Sequence, residues 1–356
     1  MIRIIKGAVM HPYSIQPRKA FWRRVVEEVH PLAIDTWYEK KFSISDQSIA
    51  AAGSCFAQHI GNALRSSGFK FLDAEPAPKF LPPEARLDFG YGMYSARYGN
   101  VYTSRQLVQL ARRALGDFEH LAAHIWKKGD GFVDAFRPTI EPAPFASVEE
   151  LVALRDSHLA SVLTLFQTTE VFIFTLGLTE AWLLKQDGAA FPVCPGTAGG
   201  TFDPDLHMFR NLGYGEIIED MEQFFQIMRS INPNMKFVLT VSPVPLTATA
   251  TEHNVVVASS YSKAVLRAVA GDLAARHDWV DYFPSYEIIS SIPMRSQFYN
   301  PDMRTIVADG VAHVMKSFFS QHAKPVQDLA VVLAAEPDPD DIKCDEELLD
   351  GFGGEN

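Results

Sequence analysis

The sequence predicts an α/β fold, a mostly parallel sheet covered by helices on both faces. Short apolar runs alternate with longer stretches of helical periodicity, the pattern that builds such sheets. Two of the runs, VFIFTL at 171–176 and KFVLTV at 236–241, are almost continuously apolar, as strands buried on both faces must be. The 356 residues, 47% hydrophobic and 21% charged, form an ordinary globular composition with room for one large core or two domains.

Residues 1–47 read as an arm. A short helix is expected over 21–29, and Phe21, Trp22, Val25 and Trp37 are expected to pack it on the body. The body spans 48–324. A small apolar strand at 48–52 runs into a glycine turn and a helix in which Phe56, Ile60, Ala63 and Leu64 recur at helical spacing, with Gly68 as a stop. Residues 73–147, rich in Pro, Gly, Tyr and Phe, read as a long insertion of the kind that shapes a binding site. Helices are expected at 149–166, 216–228, 258–276 and 311–321, and a last strand at 279–283. The segment 325–356 is rich in Pro, Asp and Glu and is expected to be a disordered tail.

The net charge of −11 is concentrated in that tail. Nine acidic residues and one lysine lie between Ala334 and Asn356, leaving the rest of the chain nearly balanced. No basic face points to nucleic acid as a partner. Three cysteines, Cys55, Cys194 and Cys344, exclude a disulfide scaffold and a Cys/His zinc set. His120 and His124 stand four apart, but no neighbouring carboxylate or cysteine completes a metal site, so no metal is expected. Glycine-rich nucleotide loops are absent, so no cofactor is expected. No run reaches the length of a membrane span, residues 1–10 lack a signal peptide's apolar run, and a cytoplasmic location is expected.

In a doubly wound sheet, ligands sit beyond the carboxyl ends of the strands. Ser54 stands at such a point, where unpaired N–H groups and the positive end of a helix would stabilise an alkoxide or oxyanion. Capping the helix is the other role open to it. Residues 53–57 spell GSCFA. With TLGLTEAW at 175–182, TVSPVPL at 240–246, YSK at 261–263 and YFPSYE at 282–287, in that order, the chain resembles the GSCFA family, which in turn is similar to SGNH-type (GDSL-like) hydrolases. The resemblance implies a flavodoxin-like three-layer α/β/α sandwich.

It also implies a site. Ser54 corresponds to the nucleophile, with Cys55 as a neighbouring rival. Gly99, beside Asn100, corresponds to the glycine of the oxyanion hole. Thr179 stands where the family pattern of the SGNH enzymes has the asparagine that completes the oxyanion hole, so Gly99, Asn100, Thr179 and the Ser54 N–H are its expected donors, and Thr305 stands where their last block has its histidine. His313 is then the candidate base, with Asp302 or Asp309 to orient it. Asp309 and His313 share a helical face if that segment is helical. Glu180 and Trp182 are candidate substrate contacts, His253 could reach the site from its loop, and His59 could line the rim. Ser242, Ser285 and Tyr286 serve the site or only its turns and packing. The expected activity is hydrolysis of an O-acyl ester, of a carbohydrate or glycan by analogy. The alternatives are a glycan O-acyltransferase using the same site, or a non-catalytic carbohydrate-binding or scaffold protein.

Overall fold

The run 49–53 is too apolar and too small-chained for a surface strand, and it lies buried from end to end. The computed structural model describes residues 4–5, 8–9, 11–322, 342 and 344–352. In chain order, β1 (Ile4–Ile5) and β2 (Ala8–Val9) form a small antiparallel ribbon. Then come β3 (Ile49–Gly53), α1 (Phe56–Ser66), α2 (Ser104–Ala114), a hairpin of β4 (Ile125–Lys128) and β5 (Gly131–Asp134), and α3 (Val148–Thr168). β6 (Val171–Leu176), β7 (Glu180–Leu184), β8 (Ala190–Phe191), β9 (His207–Asn211) and α4 (Tyr214–Ile231) follow. The chain continues with β10 (Lys236–Val241), α5 (Val255–Arg276), β11 (Val280–Tyr282), α6 (Ser285–Ser290) and α7 (Ala308–His322).

The central sheet is parallel, in the order β11-β10-β6-β3. Beyond β3, Phe71 makes a single parallel bridge to Ile49. Counting that segment as second in the chain, the order is 2-1-3-4-5, a doubly wound sheet whose direction of winding reverses between β3 and β6. Side chains alternate between its faces. Ala50, Ala52, Phe172, Phe174, Phe237 and Leu239 pack with Leu107, Val162, Phe224 and Leu273 of α2–α5. Ile49, Ala51, Ile173 and Val238 pack with Ile60, Ile289 and Phe318 of α1, α6 and α7. The result is three layers, helix–sheet–helix.

Three expectations are corrected. Residues 73–147 are not an appended insertion: α2 lies within them and supplies core residues, and its N-terminus is closed by a capping box of Thr103 and Gln106. In the arm, the helix expected over 21–29 is one π-type turn, Arg23–Glu27, and Trp22 is 61% exposed. Val25 and Trp37 do pack on the body, and the arm is held further on, where the Tyr38 hydroxyl and the Lys41 N–H both donate to Asp281 at 2.7 and 2.9 Å. Third, the far end of the acidic tail packs on the body. Asp345–Phe352 is a 3-10 helix, and Cys344, Asp345 and Glu346 are buried. Residues 325–341, 343 and 353–356 of the expected disordered tail lie outside the described residues.

A small antiparallel sheet, β8-β7-β9, sits beside the central one. The β4–β5 hairpin is tied to α2 and α3 through Asp134. That carboxylate is 1% exposed and meets Arg155 at 3.0 Å, Arg137 at 3.2 Å and Arg113 at 3.9 Å. Among the described residues no helix is long and apolar enough to cross a membrane.

Candidate active site

The carboxyl ends of β3 and β6 meet at the reversal point, and two glycines let them come close. Gly53, at φ +147°, lies so near β6 that a Cβ would stand 2.5 Å from the Thr175 carbonyl oxygen. Ser54 follows, and its N–H donates to that carbonyl at 3.3 Å. Gly177 is the second: a Cβ there would stand 2.9 Å from Ser54 Cβ. Gly53→Ala therefore forces both a clash with backbone and an unfavourable φ, and is expected to cost at least about 3 kcal/mol, read as a lowered midpoint in urea unfolding.

Ser54 is 3% exposed, and its Oγ has no hydrogen-bond partner. The hydroxyls of Thr175 and Thr179 are buried and unpartnered as well. Ser54 does not cap α1 through its side chain, since the N-cap position belongs to Cys55. On the other side of Gly177, Lys263 of α5 is 3% exposed and donates from Nζ to the Gly177 carbonyl at 2.8 Å. Burial pulls its ammonium down to about 8. The neighbouring Ser262 Oγ accepts from the Thr179 N–H at 3.1 Å.

Asn100 is buried beside this group, after Gly99 has turned the chain at φ +70°. Its Oδ1 meets the Tyr94 hydroxyl and the Gln58 amide, and Tyr94 also reaches the Ser54 carbonyl at 3.1 Å. Its Nδ2 donates to the Asp345 carboxylate at 2.9 Å. Thr139 Oγ1 donates to the other oxygen of Asp345, and the Asp345 N–H donates to Tyr102 Oη at 3.0 Å. Glu346, next along, is buried, and burial pushes its carboxyl up to about 8. The segment 344–352 thus lies as a strap between two hollows. One, of about 470 Å³, is mainly apolar and includes Trp182, Phe202, Leu246, Leu349 and Phe352, with Glu180 and Glu346 at its edge. The other, of about 380 Å³, includes Cys55, His59, Arg304, Thr305, Cys344 and Glu347.

The other expected residues are not gathered here. The His313 ring packs on Phe298 with centroids 5.2 Å apart, and its Nε2 has no hydrogen-bond partner. Since Ser54 Oγ has none either, the two are not hydrogen-bonded. Asp309 is exposed on the first turn of α7. Asp302, also exposed, holds its own turn, accepting from Thr305 Oγ1 at 2.7 Å and from the N–H groups of Arg304 and Thr305. The histidine–aspartate pair is therefore not assembled at Ser54: the short loop closes on itself through Thr305. His253 is exposed in its loop. Glu180 accepts from Thr249 Oγ1 at 2.6 Å and the Ala250 N–H at 3.1 Å, and Trp182 packs against Phe202 and Phe209. Ser285 Oγ lies 2.5 Å from Thr240 Oγ1 and 3.0 Å from the Val241 carbonyl, a packing role. His124 is paired with Asp187 at 2.9 Å, and no group of three metal-ligating side chains occurs among the described residues. His59 lines the second hollow, with Nδ1 buried and unpartnered, and burial lowers its imidazole to about 4.

Sequence reasoning missed Lys263 and the strap. Lys263 carried a signal, because it shares the buried stripe of α5 with Ser259, Ser262, Leu266 and Ala270, where a lysine needs a reason. No curated protein and no solved structure matches the chain. The GSCFA family model matches residues 48–318, from the start of β3 into α7, and the chain belongs to the GSCFA family.

Proposed function

We propose that the chain is an SGNH-like serine esterase or acyltransferase, acting at Ser54 on an O-acyl ester of a carbohydrate or another hydroxylated acceptor. The observation that carries the reading is the buried, unpartnered Ser54 Oγ at the reversal point of the sheet, against Gly177, whose carbonyl is held by Lys263. A buried hydroxyl normally finds a partner, and one left without suits a group kept for reaction. Ser54 Oγ attacks the acyl carbon, and Lys263, neutral above about pH 8 and bonded here to the Gly177 carbonyl rather than to Ser54 Oγ, swings off that carbonyl to take the proton in place of the missing histidine. The Asn100 amide donates to the developing oxyanion once Asp345 has moved off it. The hollow beside Trp182 and Phe202 suits a ligand part apolar and part hydroxylated. A reducing, cytoplasmic setting agrees with the three free thiols.

A fluorophosphonate probe tests the nucleophile, since it reacts with activated serines. The expected result is one adduct on Ser54, mapped by mass spectrometry, lost in Ser54→Ala and faster to form in a chain ending at residue 343. No adduct in either the full or the shortened chain would overturn the reading and favour the non-catalytic one. Product analysis with and without a sugar acceptor separates esterase from transferase.

A further inference from the structure

The strap meets the body at a sulfur. Cys344 and Cys55 line the same hollow, one from the acidic tail and the other from the residue after Ser54, and each thiol shifts the other's ionisation. Cys344 also has Arg304 Nη2 at 3.6 Å and the Tyr102 hydroxyl at 3.8 Å. Both cysteines line the hollow of about 380 Å³, so a small oxidant can reach the pair although each residue is less than a tenth exposed. We propose that Cys55 and Cys344 are a redox site, which a peroxide converts to a disulfide that fastens the strap to the residue following Ser54.

The chemistry divides between the two sulfurs. The neighbouring Cys55 thiol, with the Arg304 charge, brings the Cys344 thiol down to about 7, whereas Cys55 itself is pushed up. A thiol that ionises near ambient pH is the better attacking group. The Cys344 thiolate attacks one oxygen of hydrogen peroxide. The O–O bond breaks, hydroxide leaves and takes up a proton as water, and Cys344 becomes a sulfenic acid, oxidised by two electrons. Cys55 then attacks that sulfur. The S–S bond forms, the S–O bond breaks, and the departing hydroxide takes the Cys55 proton as water. In sum, two thiols and one peroxide give one disulfide and two waters. A dithiol reverses the step by exchange.

The strap's polar contacts explain why a covalent tie would matter. Asp345 on Asn100 and Thr139, and Glu346 near Lys263, are acidic groups taken out of water, and desolvation offsets much of what their contacts return. A strap so held is displaceable, and a disulfide makes it fast.

The full-length chain is treated near neutral pH with hydrogen peroxide, alkylated with N-ethylmaleimide, digested without reductant and mapped by mass spectrometry. The Cys55–Cys344 peptide pair should exceed any disulfide of Cys194 by about tenfold or more and disappear with dithiothreitol. In Cys55→Ser, which leaves Cys344 without its resolving partner, dimedone should trap a sulfenic acid on Cys344. Arg304→Met should slow the peroxide reaction several-fold by weakening the thiolate. Free thiols at both positions while Cys194 is oxidised, or a sulfenic acid that persists on Cys344 in the unsubstituted chain, would overturn the proposal. Disulfide mapping makes no use of Ser54, so its failure is separate from a failure of the esterase reading.

Discussion

Lys263→Met is expected to lower kcat on a short-chain aryl ester by about 10³-fold or more, the scale of loss when one member of a nucleophile–base unit goes. Methionine keeps the apolar length of the lysine stem, so the core stays filled. The structural cost is the lost donor to the Gly177 carbonyl, about 1–3 kcal/mol. On the esterase reading, the unsubstituted chain should gain rate as pH rises through about 8, because only a neutral amine can accept the Ser54 proton. That amine is surrounded by Glu346 and Cys344 of the strap, Cys55 at the start of α1, and Arg304. The methionine variant should show no such rise. Ser54→Ala and the double variant should lose about as much as Lys263→Met alone, since the pair acts as a unit. A Lys263→Met enzyme with unchanged kcat and an unchanged pH profile would remove the lysine from the mechanism while leaving Ser54 to the labelling test.

Asp134→Ala should destabilise the fold by about 3–5 kcal/mol, the usual penalty for leaving buried charge without its partner. The penalty follows from the number of guanidinium groups involved. Arg113, Arg137 and Arg155 are each no more than 5% exposed, and Asp134 is the carboxylate they share. Their charges hold its carboxyl well below the usual range, despite burial acting the other way. Two of the guanidinium nitrogens of Arg113 have no other partner, though its charge also lies 3.7 Å from the centre of the Phe136 ring. Thermal unfolding followed by circular dichroism would show the loss, expected at about 4–7 °C for a chain this long. A change below about 1 kcal/mol would mean that water replaces the carboxylate at little cost.

The parts of the fold that were legible are those in which local pattern and burial agree. VFIFTL and KFVLTV match β6 and β10 to the residue, because a strand covered on both faces needs apolar side chains at every position. The helix α2 was hidden because its buried side includes Gln106, Gln109 and Arg113. Gln109 is satisfied by the backbone of Gly188 and Ala190, partners about eighty positions away. The strap was hidden for the same reason. Its acids read as a solvated tail, and only the fold brings Asn100, Thr139 and Arg304 to meet them. At the site, Ser54 was legible from strand, glycine and helix in succession. The aspartates beside His313 were misleading, because spacing along the chain did not reveal that Asp302 turns back on Thr305.

The two glycine contacts have a consequence for how Ser54 behaves in a reaction. Because Gly53 and Gly177 bring backbone against backbone, Ser54 is fixed by the register of Gly53 against Thr175 rather than by the sway of a loop. Its rotational and translational freedom is surrendered when the sheet assembles, long before any ester arrives. On the esterase reading, what remains is for Asp345 to leave Asn100 and the acyl group to settle, so the backbone at this serine should add little to the activation entropy.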